Sequence, residues 1–244
     1  MTHKTNGIVL KAIKYGETSL VVTFLTELFG VQTYIVNGVR SSKQPLSKAN
    51  YFQPGSILEM VVYHQQQKNI QRIKEFKWAY IYTDVQAHVV KNCVALYMVE
   101  LLYKCLKQPE TNVDLYNFCE DAFKQLDSAN KTVTANFPLF FALHFCYFLG
   151  LKMNDDYTKE HRFLDLQEGI FVSHQPTHPN FLTDEKAELT SWFLKAMHPN
   201  DLEQFKLNHN IRRQMLLHYQ HYYALHIHDF GQMKTLQVLQ EVLI

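Results

Sequence analysis

The apolar period of this chain changes once, near residue 78, and that change limits the fold to a β-rich module followed by a helical one. Before it, five runs rich in β-branched and aromatic residues lie at 7–14, 20–26, 31–36, 57–63 and 70–76. Turn signals separate them at Tyr15-Gly16-Glu17, Phe29-Gly30, Asn37-Gly38, Pro54-Gly55 and 65–69. Beyond residues 78–85 the period moves from two to roughly three and a half. Five short strands within residues 1–80 predict a small barrel. Asn37-Gly38 is a strong turn signal, yet no strand follows it at once, so the chain leaves the sheet there and resumes strand composition only at residue 57. A long connection between the third and fourth strands is the OB-fold arrangement, with an SH3-like barrel as the rival. The expected fold class is α+β in two domains: a five-stranded OB-fold β-barrel at 1–80, then an all-helical domain at 81–244 with a small hairpin insertion.

Within the second domain the pattern predicts helices at 86–107 and 112–126, the latter with Asn112 as its N-cap, and a polar connection over 127–133. Pro138 suits a first helical turn and Gly150 a helix C-terminus. The FFALHFCYFL between them is apolar on every face, as the centre of a domain should be. FLDLQEGIFV at 163–172 breaks the rhythm and reads as a hairpin turning at Glu168-Gly169. Thr183 is expected to cap a helix through Met197, with Asp184 and Glu185 in its first turn. A short helix from Pro199, a long one at 211–227 and an amphipathic one ending at 244 complete the chain.

Net charge is only +1 over 244 residues, but it hides a division. Residues 1–80 hold ten Lys or Arg against four Asp or Glu, and the remainder holds fourteen against nineteen. A basic module joined to an acidic one gives the first module a polyanion as its natural partner. The eight glycines leave neither a G-x-x-x-x-G-K-[ST] phosphate cradle nor a G-x-G-x-x-G turn, and there is no G-x-S-x-G elbow. The longest apolar run, 137–149, has 13 residues, short of the roughly 20 that span a bilayer. With no secretory signal pattern at the N-terminus, a soluble cytoplasmic protein is expected. Cys93, Cys105, Cys119 and Cys146 form no C-x2-C pair and lie in apolar helical segments, as buried reduced thiols do. His218, His221, His226 and His228 crowd one helix, and His174 and His178 share a loop. Neither group has a carboxylate or cysteine partner in a recognised spacing, so no metal or cofactor is expected. The alternative, a metal-dependent phosphoesterase, would have to be built on these histidines.

The candidate nucleic-acid-binding residues are Lys11 and Lys14 on the first strand, Tyr34 on the third, Arg40, Lys43 and Lys48 on the excursion, and Arg72 and Lys74 on the fifth. No acidic residue falls between Arg40 and Lys48, and Tyr15, Tyr51, Phe52 and Tyr63 are interleaved with the cations. Cations that track a backbone, alternating with rings on which bases stack, are what single-strand binding requires. The competing reading keeps the lysines as solvated surface and most of the rings as core.

These residues resemble the bacterial recombination mediator family RecO. The likeness rests on G-I-V-L-K at 7–11, Y-G-E at 15–17, V-V-T-F-L-T at 21–26 with Gly30 following, N-G-V-R at 37–40 and Phe52-Gln53-Pro54. F-L-G-L at 148–151 and the closing run 212–234 with a leucine helix after it extend the likeness into the second half. The resemblance implies an OB-fold with a helical domain, annealing of complementary strands without ATP, binding to single-stranded and duplex DNA, and loading of recombinase onto protein-coated single strands. It also implies two protein partners, RecR and the acidic C-terminal tail of the single-stranded DNA-binding protein. The chain departs from one branch of the family: where many members carry two C-x2-C pairs after L-G-L, residues 152–182 contain no cysteine, so the zinc site is not carried over. Packing of Phe163, Leu166, Ile170 and Phe171 is expected to replace it.

For the tail, the helix at 211–227 is the expected dock. Arg212, Leu216, Tyr219 and Tyr223 fall on one stripe, with Arg213 beside it, so cations for carboxylates adjoin an apolar strip for a terminal side chain. The same stripe equally suits a helix that faces its own core.

Overall fold

The computed structural model describes residues 1–40 and 48–242. They form two compact units, Met1–Ala87 with Val99–Asp127, and His88–Met98 with Ser128–Ile244.

The first unit is built on strands β1 (Thr2–Tyr15), β2 (Ser19–Thr26), β3 (Gly30–Val36), β4 (Ile57–Tyr63) and β5 (Ile70–Tyr80), closed in the order β1-β2-β3-β5-β4. Only β3 and β5 run parallel; the other four pairings are antiparallel. The excursion after β3 leads to β4, which pairs with β1 and β5 and not with β3, so no tight turn can join the two strands. A 3-10 turn, Lys48–Phe52, ends the excursion and buries Phe52. Alternate positions turn inward: Val22 and Phe24 of β2, Tyr34 and Val36 of β3, Leu58, Met60 and Val62 of β4, and Ile73 of β5 make one apolar cluster. A bulge between Val9 and Lys11 shifts the parity of β1, so Val9 faces the core and Lys11 faces out.

Helices α1 (Val89–Cys105) and α2 (Val113–Ser128) follow, with α1 supplying residues to both units. Asn112 caps α2 as its sequence predicts, its Oδ1 accepting from the Leu115 N–H at 2.9 Å. Near the end of α2 stands Asp127, almost fully buried, gripping the segment that leaves the barrel after β5. Its Oδ2 accepts from Tyr80 Oη (3.1 Å), Thr83 N (2.9 Å) and Thr83 Oγ1 (3.0 Å), and its Oδ1 from Asp84 N and Val85 N (both 2.8 Å).

The second unit is organised round α3 (Lys131–Phe148), whose phenylalanines 137, 141 and 145 are fully buried. This helix starts earlier than expected: Asn130, not the neighbourhood of Pro138, forms the N-cap, accepting from Val133 N at 3.0 Å, and Pro138 lies inside the helix. A capped first turn outweighs the proline signal here, and the polar connection shrinks accordingly. The predicted hairpin is present as β6 (Phe163–Asp165) and β7 (Ile170–Val172), turning at Gly169 with φ +69°. A two-residue third strand, β8 (Phe181–Leu182), pairs with β6, too short to leave any periodic signal. Helix α4 (Asp184–Lys195), a 3-10 segment (Pro199–Gln204), α5 (His209–His226) and α6 (Lys234–Val242) complete the unit. Among the described residues no helix is long and apolar enough to cross a membrane.

Candidate nucleic-acid interface

The barrel register places specific side chains side by side on its outer surface. Ile13 pairs with Val21, Val21 with Ile35, Ile35 with Arg72 and Arg72 with Tyr63, a row that crosses all five strands. A second row runs Lys11, Thr23, Thr33, Ile70, and the two threonine hydroxyls meet at 3.2 Å. Ile13, Tyr63 and Ile70 are each about half exposed, at 49, 42 and 51%. These exposed apolar side chains share the outer strand face with the cations Lys11 and Arg72. At one end of it a depression of about 640 Å³ is bordered by Ile35, Tyr63, Lys68, Ile70, Arg72 and Lys74. The β4–β5 connection forming its rim is held by Gln71, whose Nε2 donates to the carbonyls of Gln65 and Lys68, both at 2.7 Å, while its Oε1 accepts from Gln65 N at 3.0 Å.

The expected binding residues fare unequally. Arg72 and Lys74 lie at this depression, although Lys74 shares its charge with Glu75 at 3.2 Å. Lys11 is on the second row, donating to Tyr103 Oη at 3.3 Å and lying over that ring. Lys14 pairs with Leu20, on the inward parity, and reaches solvent only because β1 ends at the rim. Lys48 is exposed at the start of the 3-10 turn. Arg40 is tied down: its Nη1 donates to Gly16 O at 3.1 Å and its N–H to Thr18 O at 2.9 Å, bracing the β1–β2 turn. Lys43 lies outside the described residues. Tyr34 requires a correction. It is fully buried, edge-on to Phe24 at 5.8 Å, its phenol pushed up by burial, and no base can stack on it. Phe52 is core and Tyr51 stacks on Trp78 at 4.5 Å, which leaves Tyr15 and Tyr63 as the exposed rings of the predicted set. Ile13, Ile35 and Ile70 carried no local signal and are placed by strand register, while Lys68 is placed by the Gln71 latch on the β4–β5 connection.

The stripe on α5 is corrected likewise. Leu216, Tyr219 and Tyr223 are about 1% exposed, with Tyr223 Oη donating to Ala142 O at 2.6 Å and Tyr219 Oη meeting Thr190 Oγ1 at 3.1 Å. These are core residues with satisfied hydroxyls. Arg212 is half-buried and donates to Leu207 O, and burial pulls its guanidinium below the usual arginine range. The outward face of α5 carries Arg213 and Leu217 instead.

The histidines have separate structural partners. His178 meets Asp165 Oδ2 at 3.1 Å, His221 meets Asn180 Oδ1 at 2.8 Å, His226 meets Leu166 O at 2.9 Å, and His174 meets Ser173 Oγ at 2.9 Å. Two of these contacts pin the small sheet to α5. His218 is half-buried, its imidazole lowered by burial, and His228 lies beside Asp229. Among the described residues no three His, Cys, Asp or Glu side chains converge as a metal site would require, so the donors present do not fit a zinc ion. The hairpin is packed instead: Leu164, Leu166 and Phe171 are buried while Ile170 is exposed, and Asp165 Oδ1 accepts from Gln167 N and Glu168 N to hold the turn.

A closed barrel of order 1-2-3-5-4 with one parallel pair defines an OB-fold protein with an appended helical region. Its residues 1–82 match the family described as "Recombination protein O N terminal", and residues 87–235 match "Recombination protein O C terminal". The chain belongs to the RecO family of DNA repair and recombination proteins. It is 33% identical over 242 residues to the DNA repair protein RecO of Phocaeicola vulgatus, covering 99% of both chains. It is 33% identical over 244 residues to that of Flavobacterium psychrophilum, again covering 99% of both. Against the Porphyromonas gingivalis protein it is 27% identical over 240 residues and 96% of each chain. The family is one of non-catalytic recombination mediators, and the phosphoesterase alternative is set aside.

Proposed function

We propose that this chain binds single-stranded and duplex DNA on the outer face of β1, β2, β3 and β5, anneals complementary strands, and helps load recombinase onto protein-coated single strands in the cytoplasm. The observation that carries the reading is the pair of outer rows, in which exposed Ile13 stands beside Lys11 on β1, and exposed Ile70 and Tyr63 flank Arg72 on β5 and β4 with Lys68 and Lys74 at the same depression. Flat apolar surface receives unstacked bases while cations take the phosphates, and neither needs sequence-specific contacts. A mediator that must act on any sequence needs that tolerance.

Binding should therefore depend on salt. If about four phosphates are neutralised, log affinity for a single strand falls against log salt with a slope near −3. Lys68→Glu with Arg72→Glu is expected to lower affinity about 100-fold at low salt and flatten the slope, with the unfolding midpoint unchanged because exposed charges contribute little to stability. Arg40 is the wrong residue to reverse, since its guanidinium braces the β1–β2 turn. A slope near zero, or a double variant that binds like wild type, refutes the reading.

The proposed protein partners are RecR and the acidic tail of the single-stranded DNA-binding protein. With Leu216, Tyr219 and Tyr223 in the core, any share of α5 in tail binding rests on its exposed Arg213 and Leu217. Arg213→Glu is expected to weaken a labelled tail peptide at least five-fold by fluorescence anisotropy, the effect of losing one charge-assisted contact. Unchanged peptide affinity removes α5 from the partner site.

A further inference from the structure

Across the β4–β5 connection from Tyr63 and Arg72 lies a second depression of about 780 Å³, within the roughly 300–1,000 Å³ typical of small-ligand sites. It lies within the first unit, walled by β3, the β2–β3 turn, the β4–β5 connection and the α1–α2 connector. Phe29 and His64 stack there, centroids 3.9 Å apart and planes within 10°, with His3 edge-on to Phe29 at 5.4 Å. Burial, then the nearby His3, holds the His64 imidazole below the ordinary histidine range, so near neutral pH it is an uncharged flat ring. Gln32 and Gln66 supply amide donors and acceptors, and Lys68 and Lys107 stand at the border. No described residue lining the depression is acidic. Lys68 and Gln71 line this depression and the one beside Arg72, so the two are neighbours separated by a latched loop.

We propose that this depression receives one unstacked base of a single strand lying on the outer barrel face, the base stacking on the Phe29–His64 pair while Lys68 and Lys107 hold the flanking phosphates. The subsite rests on the single-strand reading given above and refines it. The chemistry favours a nucleotide over other occupants. Two cations with no acid suit a polyanion, a ring pair suits a π-face, and amides suit base edges. A base within a duplex can enter only after unpairing, so the subsite distinguishes single strands from duplex.

The test uses full-length protein and the shortest oligothymidylate that keeps full affinity, with one nucleotide at a time replaced by an abasic residue. In wild type, one position is expected to cost about 10-fold, the effect of a lost base–aromatic stack, with its neighbours costing little. His64→Ala is expected to lose about 10-fold on the intact strand and to become indifferent to that position, while His64→Tyr restores both. Duplex affinity stays the same throughout. Should His64→Ala prove unstable, Lys107→Glu on the exposed connector serves instead and is expected to weaken single strands about five-fold without touching duplex. An abasic profile with no special position, one unchanged in His64→Ala, or parallel losses on single strand and duplex each overturn the subsite and leave the outer-face reading standing. Wild-type protein that binds no strand overturns both.

Discussion

Asp127→Ala is expected to destabilise the first unit by about 3–5 kcal/mol. Three backbone N–H groups and two hydroxyls lose their acceptor at once, and each buried donor left unpaired costs roughly 1–3 kcal/mol, less where water reaches the segment through the exposed Thr83. Asp127→Asn keeps one acceptor oxygen and should cost about half as much. Urea unfolding in a Trp192→Phe background reads this directly, because Trp78 of β5 is then the sole indole. A loss under 1 kcal/mol would show that the segment 80–85 holds without the carboxylate. The pH dependence has a definite sign. Burial alone would raise the Asp127 carboxyl, but the backbone donors of Thr83, Val85 and Asp84, with the Thr83 hydroxyl, hold it below the usual carboxylate range. Its contribution is therefore complete above the unfolded value of about 3.9 and is lost as pH falls through the lower folded value. The gap between wild type and Asp127→Ala should be flat from neutrality to about pH 5 and close only in acid.

Gly30→Ala is expected to cost about 3 kcal/mol, and Gly38→Ala only about 1 kcal/mol, in the same assay. Both glycines have positive φ, +59° and +72°, so both substitutions carry the left-handed penalty. They differ in what a methyl group meets. At Gly30 it would overlap the backbone carbonyl of Glu110 on the α1–α2 connector, which cannot swing aside as a side chain would, whereas at Gly38 nothing among the described residues lies within 4 Å. Equal costs at the two positions would mean that the connector does not press on the β2–β3 turn.

The five strands were legible because β-branched runs and turn residues are local signals, and every predicted run falls within an observed strand. Barrel closure was legible only through the length of the third connection. The candidate site was harder to read. Tyr34 lies in QTYIV, where each face mixes a polar with an apolar neighbour, Gln32 and Val36 on its own face and Thr33 and Ile35 on the other, so alternation could not say which way its ring pointed. The outer rows depend on the bulge that reverses parity before Lys11, and a bulge of this kind has no signature in one sequence. On α5, a core stripe and a docking stripe share one period. The decision between them lies in the Ala142 and Thr190 partners of two tyrosine hydroxyls, 81 and 29 positions away in the chain. In sequence, the N-cap at Asn130 is a weaker helix-start signal than the proline eight residues later, which lies inside the helix.

The first unit takes its last residue from position 127, after residues 88–98 have already been given to the second. During synthesis the barrel strands are complete by Tyr80, yet they wait through a further stretch of chain before the carboxylate that anchors their exit is made. A nascent chain halted between those points presents residues 80–85 with their amides unclaimed. A fragment cut at residue 80 is in the same condition permanently: it carries the cations of the barrel but not Asp127, so a weak or aggregating fragment would report a missing anchor rather than a barrel that cannot bind.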